Sequence, residues 1–130
     1  MADTITFQNK NDISVKLVDG LHNPSKNIRA FCSIVLANRN DKNAINSIIK
    51  LVTDSSGMVR SCAFGSLGYL RAKKAKKEIH HGVFDSNIEA KKSAAYALIL
   101  INEDFSVQER KELEGQKDPD FKKILEKNYK

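Results

Sequence analysis

A repeat of 31 residues is the feature that most restricts how this chain can fold. Shifting the sequence by 31 positions places Ile28 on Val59 and Val59 on Ala90. The same shift aligns Ala90 with Phe121. Three further positions align in the same way: Arg29 with Arg60, Lys91 and Lys122; Cys32 with Ala63, Ala94 and Leu125; and Leu36 with Leu67 and Leu98. A fixed period of about 20–50 residues is typical of a solenoid, in which each unit buries its apolar face against its neighbours.

Each copy contains two stretches with the apolar spacing of an α-helix. Ile48 and Val52 are four residues apart in the first stretch, and Val59, Ala63 and Leu67 follow at the same interval in the second,. We predict helices over residues 12–22, 25–38, 42–53, 56–70, 74–84, 87–101, 106–115 and 119–128. These helices pair into repeats over residues 12–38, 42–70, 74–101 and 106–128.

The polar turns between these stretches carry residues that begin helices. The Asn23-Pro24 pair predicts a capping residue followed by a proline in the first helical turn,. Capping boxes, in which two side chains satisfy backbone donors reciprocally, are predicted for Ser86 with Glu89 and for Ser106 with Glu109,.

Length and composition indicate one folded domain over residues 1–130. Hydrophobic residues make up 41% of the chain and charged residues 29%, as in ordinary soluble domains. The N-terminal residues lack the pattern of a secretion signal, and no apolar run approaches the roughly 20 residues that cross a bilayer. Cys32 and Cys62 lie in helical patterns among apolar neighbours, as buried free cysteines do,. We therefore expect a cytoplasmic protein without a membrane partner.

The second copy carries a recognisable motif. It resembles the "D…VR..A..LG" signature of HEAT repeats, especially the short HEAT-like repeats of the phycobilisome-lyase type, through Asp54, Val59, Arg60, Ala63, Leu67 and Gly68. The other copies depart from this signature, with Asn23 in the first, Ala90-Lys91 in the third, and Gln116 and Phe121-Lys122 in the fourth. The resemblance covers roughly residues 12–130. It implies an all-α, right-handed α-solenoid of about four helix pairs, whose second helices line a concave side that binds other macromolecules.

The motif's charged residues predict an internal set of ion pairs. Asp54 and Arg60 are six residues apart across a turn, so they can pair within one repeat or with the next repeat. We expect Arg29, Arg60 and Lys91 to form a structural ladder with Asp54 and its equivalents, because a partly buried guanidinium or carboxylate needs a partner. Direct contact of Arg29 or Arg60 with a ligand is the alternative.

The predicted concave side combines small residues with one aromatic. Candidate partner-binding residues on the second helices are Ser61, Gly65, Lys92, Tyr96 and Ile99. A trough of small residues beside a tyrosine suits a helix or an extended peptide from another protein. The competing interpretation is that Gly65 and Ala95 only allow the helices to approach each other.

A second candidate surface is strongly basic. Arg71, Lys73, Lys74, Lys76 and Lys77 lie within seven residues, in a chain with a net charge of +6. We call this set the basic ridge. It suits phosphates of a nucleic acid or an acidic protein, but cations at a helix end and on a solvated surface are the more ordinary interpretation.

The sequence contains no catalytic or metal-binding motif that we could identify. Phosphate-binding loops, nucleophile elbows and His-Glu-x-x-His are missing,. His80 and His81 are adjacent, so on a helix their rings point about 100° apart and do not converge on one ion. We expect a non-catalytic protein-binding module, adaptor or stoichiometric inhibitor without cofactor or metal. The alternative is a nucleic-acid-associated protein that uses the basic ridge.

Overall fold

The computed structural model describes the backbone of residues 2–128 and the side chains of residues 11–128. This part of the chain forms eight α-helices and contains no β-strand. The helices are α1 (Ala2–Gly20), α2 (Lys26–Asn38), α3 (Ile45–Ile49), α4 (Gly57–Tyr69), α5 (Lys76–Gly82), α6 (Ile88–Leu100), α7 (Val107–Glu114) and α8 (Pro119–Asn128). Short 3₁₀ turns at Lys42–Ala44, Lys50–Thr53 and Lys73–Ala75 adjoin α3 and α5.

The helices pack as antiparallel pairs that stack along the chain. The most extensive contacts join α4 to α6 and α2 to α4, so the second helices form a continuous layer. The first helices α1, α3, α5 and α7 each pack on the second helix of their own pair. This arrangement confirms the predicted all-α solenoid.

The core follows the 31-residue register. Val59 and Ala90 are fully buried, and Phe121 at the same position is 1% exposed. Leu67 and Leu98 are likewise fully buried in consecutive copies. Each position is buried because the neighbouring repeat covers it, as expected for helix pairs that cannot bury their own apolar stripe.

Three of the second helices and α7 begin at a capping side chain. The side chains of Ser25, Ser56 and Asn87, spaced 31 residues apart, accept a hydrogen bond from the backbone N–H three residues later. The predicted cap at Asn23 is wrong, because its side chain instead accepts from the Ser25 N–H. The predicted capping box at Ser86 is also wrong, because Asn87 is the cap, whereas the box at Ser106 is confirmed.

The first helices differ most from the sequence prediction. Helix α1 begins at Ala2, well before the predicted start at residue 12. The predicted helix over residues 42–53 is a five-residue α-helix between two 3₁₀ turns. Such tightening is common at helix ends, where 3₁₀ bonds satisfy backbone groups that lack an α-helical partner.

Two glycines of α4, three residues apart, provide a test of this packing. A Cβ added to Gly68 would lie 2.8 Å from the Ala97 Cα, so Gly68 is required where α4 crosses α6. A Cβ added to Gly65 would meet no described atom within 4 Å beyond its own helical surroundings. Gly65 therefore does not serve helix approach.

We expect Gly68→Ala to lower the free energy of unfolding by about 1–3 kcal/mol through overpacking. Gly65→Ala should raise it by about 0.5–1 kcal/mol, because alanine restricts the unfolded chain and suits a helix interior. Urea denaturation of both variants measures the two changes. Changes of the same sign would contradict the described packing of α4 on α6.

Candidate binding face

Paired arginines and aspartates join consecutive repeats. The Arg29 guanidinium donates to both carboxylate oxygens of Asp54, at 2.9 and 3.0 Å. Arg60 donates in the same way to Asp85, also at 2.9 and 3.0 Å. The remaining nitrogen of Arg60 donates to the Asp54 backbone carbonyl at 2.9 Å. Each arginine thus binds the carbonyl of its own turn and the carboxylate of the next repeat.

The acidic partners are held in the charged form. Burial acts to raise the pKa of Asp54, but hydrogen bonds from Arg29 and the Ser56 N–H, with the nearby guanidinium charges, lower it below its usual value. The pKa of Asp85 is lowered against burial by Arg60, by the Asn87 N–H and by the charge of Lys91. These carboxylates stay ionised at neutral pH.

The third repeat makes its connection with lysines. Lys91, which is 6% exposed, pairs with Glu112. The register position of Asp54 and Asp85 is occupied by Gln116 in the last repeat, so Glu112 supplies the carboxylate there instead. The Lys92 ammonium lies 2.7 Å from Asp118 and 3.0 Å from Asp120. Hydrogen bonds to both aspartates raise the pKa of Lys92 above its usual value.

This geometry corrects the placement of Lys92 among the partner-binding residues. Its ammonium is occupied by two carboxylates of the last repeat and lies over the Phe121 ring, 5.8 Å from the centroid. Its side chain is 14% exposed. Lys92 therefore connects repeats and is not offered to a partner.

A groove crosses the exposed face of the second helices. Gly65 lies at its floor together with Ser61, Cys62 and Ser93, and the volume is about 310 Å³. The Ser61 and Ser93 hydroxyls are 2.7 Å apart and hydrogen-bond each other across the helix junction. The floor is therefore small and neutral.

Exposed apolar side chains border the groove. Ile34 on α2 is 42% exposed and Tyr69 at the end of α4 is 57% exposed, and both line the groove. The helical pattern of the sequence does not single out these two residues. The repeat register could have found them, because Ile34 shares the position of Gly65 and Tyr96, and Tyr69 shares that of Leu100.

Two other predicted residues lie further along α6. Tyr96 and Ile99 are half-buried and pack against the core. The Lys127 ammonium of α8 lies 5.6 Å from the centre of the Tyr96 ring. The last repeat thus partly covers Tyr96, and the open part of the face is centred on Gly65.

The basic ridge lies at the turn between α4 and α5. Arg71 has a φ of +55°, in the left-handed region, and donates to the Gly68 carbonyl at 2.9 Å. Lys73, Lys74, Lys76 and Lys77 are all exposed. The pKa of Glu103 is lowered chiefly by a hydrogen bond from His80. The charges of Lys76 and Lys73 lower it further.

His80 connects the third repeat to the last one. Its two ring nitrogens lie 2.7 Å from Glu109 and 2.9 Å from Glu103. Burial acts to lower the pKa of His80, but the hydrogen bonds and charges of the two glutamates raise it. No group of three or more His, Cys, Asp or Glu side chains among the described residues is arranged to hold a metal ion.

The stacked pairs and their second-helix face define a helical-repeat solenoid. The family model for HEAT repeats matches residues 14–99, so the chain belongs to the HEAT-repeat family. HEAT repeats are commonly protein-interaction modules. A search of curated proteins found no match. A helix with the length and hydropathy of a membrane span is not found among the described residues.

The Arg60–Asp85 contact gives a stability prediction. Arg60→Gln should lower the free energy of unfolding by about 1–2 kcal/mol, because the Asp85 carboxylate, 9% exposed, loses a bidentate partner,. Lys77→Gln removes the same charge from an exposed position and should change stability by less than about 0.5 kcal/mol. Chemical denaturation compares them, and equal losses would refute the inter-repeat role of Arg60.

The His80 contact gives a pH prediction. Because the pKa of His80 is higher in the folded than in the unfolded chain, its contribution is fully present below its ordinary pKa of 6.5. It is lost as the pH rises through the folded-state pKa. The unfolding free energy should therefore fall more between about pH 6 and about pH 9 in the wild type than in His80→Gln. Parallel pH profiles for the two proteins would contradict this.

Proposed function

We propose that this protein is a non-catalytic protein-binding module, acting as an adaptor or stoichiometric inhibitor, and that the groove around Gly65 holds its partner. The observation that carries the proposal is the open space at Gly65 in the interior of a packed helix. A glycine there costs helix stability and relieves no close contact,. An unfilled position bordered by apolar side chains is typical of a surface that another molecule fills.

The chemistry of the groove favours apolar recognition. Arg60 is the one charged residue of α4, and its guanidinium is bound to Asp85. Ile34 and Tyr69 supply exposed apolar area on either side of the small floor. Tyrosine is enriched among residues that dominate binding energy, because a rigid ring covers area at low entropic cost. The fitting partner is the apolar face of an amphipathic helix, or an extended peptide with bulky apolar side chains.

A glycine-to-leucine pair tests the groove. Gly65→Leu fills the open space without disturbing the core, so the protein should fold and lose its partner. Gly115→Leu is the matched control, because Gly115 is exposed, has a negative φ and lies outside the groove. Affinity capture from the source cell, with quantitative mass spectrometry, should recover the same partner with wild type and Gly115→Leu, and at least about 10-fold less of it with Gly65→Leu.

The free thiol in the groove gives a second measurement. Cys62 is partly exposed and lines the groove, whereas Cys32 is buried. Binding of the purified partner should slow maleimide labelling of Cys62. An unchanged labelling rate with saturating partner would place the contact elsewhere on the surface.

Charge reversal of the basic ridge separates the two surfaces. Glutamate at Lys73, Lys74, Lys76 and Lys77 should leave capture intact if the groove is the binding site. If this variant loses the partner while Gly65→Leu keeps it, the basic ridge is the working surface. Mobility shifts with DNA and RNA at two salt concentrations then identify a nucleic acid, since phosphate binding weakens steeply with salt.

A further inference from the structure

The N-terminal end of the stack exposes apolar side chains at positions that are buried inside it. Ile28 is 43% exposed, whereas Val59 at the same register position is fully buried. Ile13 is 45% exposed, whereas Ala44, 31 residues later, is 2% exposed. Inside the stack these positions belong to the buried core. Helices α1 and α2 are the first pair that the structure describes.

Two more residues of α2 face the same way. Their equivalents in α6 are Ser93, whose hydroxyl lies 2.7 Å from that of Ser61 on α4, and Ala97, which crosses α4 at Gly68. These positions therefore point at the preceding second helix. In α2 they are Phe31, which is 61% exposed, and Val35. We call Ile13, Ile28, Phe31 and Val35 the end face.

The residues of the end face are larger than those inside the stack. The position of Phe31 is occupied by Cys62 and Ser93 in the next two copies, where small side chains let the helices approach. At the opposite end of the stack, α8 presents charged exposed residues, namely Lys122, Lys123, Glu126 and Lys127. A polar terminal repeat is the usual way in which a solenoid end meets water. The end face lacks this protection, and a cluster of exposed apolar residues marks an interaction surface.

We propose that the end face binds the end face of a second copy of this chain, forming a two-fold dimer. The surface extends the repeat-to-repeat interface that the chain already makes between α2 and α4 and between α4 and α6. Ile28, Phe31 and Val35 are spaced three and four residues apart, so an antiparallel α2 of a second copy places Phe31 near the axis and Ile28 opposite Val35. This spacing makes the face complementary to itself, as a two-fold contact requires.

Charge also favours a second copy over a head-to-tail chain. Of the two cations of α2, Arg29 is paired with Asp54, which leaves Lys26 at the start of the helix. The net charge of +6 is therefore not concentrated on the end face. The other end of the stack is charged, so it does not match an apolar surface.

Analytical ultracentrifugation of the full chain tests the dimer. Over about 1–500 µM the wild type should show a monomer–dimer equilibrium, and Phe31→Glu should weaken it by at least about 100-fold, because the substitution enters the interface twice. Val107→Glu is the matched control, since Val107 is 68% exposed on α7. This variant and Gly65→Leu should dimerise like the wild type, which separates the end face from the proposed groove.

Cross-linking tests the geometry of the two-fold axis. In a Cys62→Ser background, Phe31→Cys should form a disulfide-linked dimer under mild oxidation, whereas Val107→Cys should not. Circular dichroism verifies that the variants fold. A wild type that stays monomeric at about 500 µM overturns the proposal. So does a dimer that survives Phe31→Glu, and the end face then belongs to a different partner or to none.

Discussion

The close approach of consecutive second helices is the constraint on which the rest of this structure depends. A helix pair cannot bury its own apolar stripe, so each pair is stable only when its neighbour covers it. The helices approach closely because their facing positions are small, with Gly68 against Ala97 and Ser61 against Ser93. The same requirement fixes Val59 and Ala90 in the fully buried core. Small residues along this layer also explain why the exposed face of the second helices contains a groove.

The arginine–aspartate pairs add alignment to this packing. Each pair spans two repeats and also binds a turn carbonyl, so a shift of one repeat along the next would break several directional hydrogen bonds at once. The groups lie at the edge of the stack with partial access to water, where forming an ion pair contributes little net free energy, although removing one partner leaves the other charge unpaired. Apolar burial therefore supplies most of the stability, and the charged pairs set the register between repeats.

The sequence predicted the solenoid well because its periodic features act locally. The spacing of Val59, Ala63 and Leu67 defines a helix, and the 31-residue shift defines the stack. Placing the charged side chains was harder. Arg60 and Asp54 are near in sequence, yet the guanidinium reaches over the turn to the carboxylate of the next repeat. Which carboxylate Arg60 binds depends on the distance between consecutive helix pairs, and the spacing of residues in the sequence does not give that distance.

The lining of the groove was predicted in part, for a related reason. Gly65 was found because a glycine inside a helix is conspicuous in the sequence. Lys92 was misplaced because its partners, Asp118 and Asp120, belong to the repeat that departs most from the motif. Ile34 and Tyr69 were missed because the repeat register, which aligns Ile34 with Gly65 and Tyr69 with Leu100, gives the position of a residue but not its exposure.

The distribution of charge gives the surfaces different binding physics. Four cations form ion pairs between repeats, and the groove is therefore neutral. They are Arg29, Arg60, Lys91 and Lys92. A partner held there gains free energy from apolar burial, so its association has little electrostatic steering and little dependence on salt. The basic ridge has the opposite character, because its exposed ammonium groups attract anions at long range and are screened by salt. Salt dependence therefore reports which surface a partner uses, even before its contacts are known.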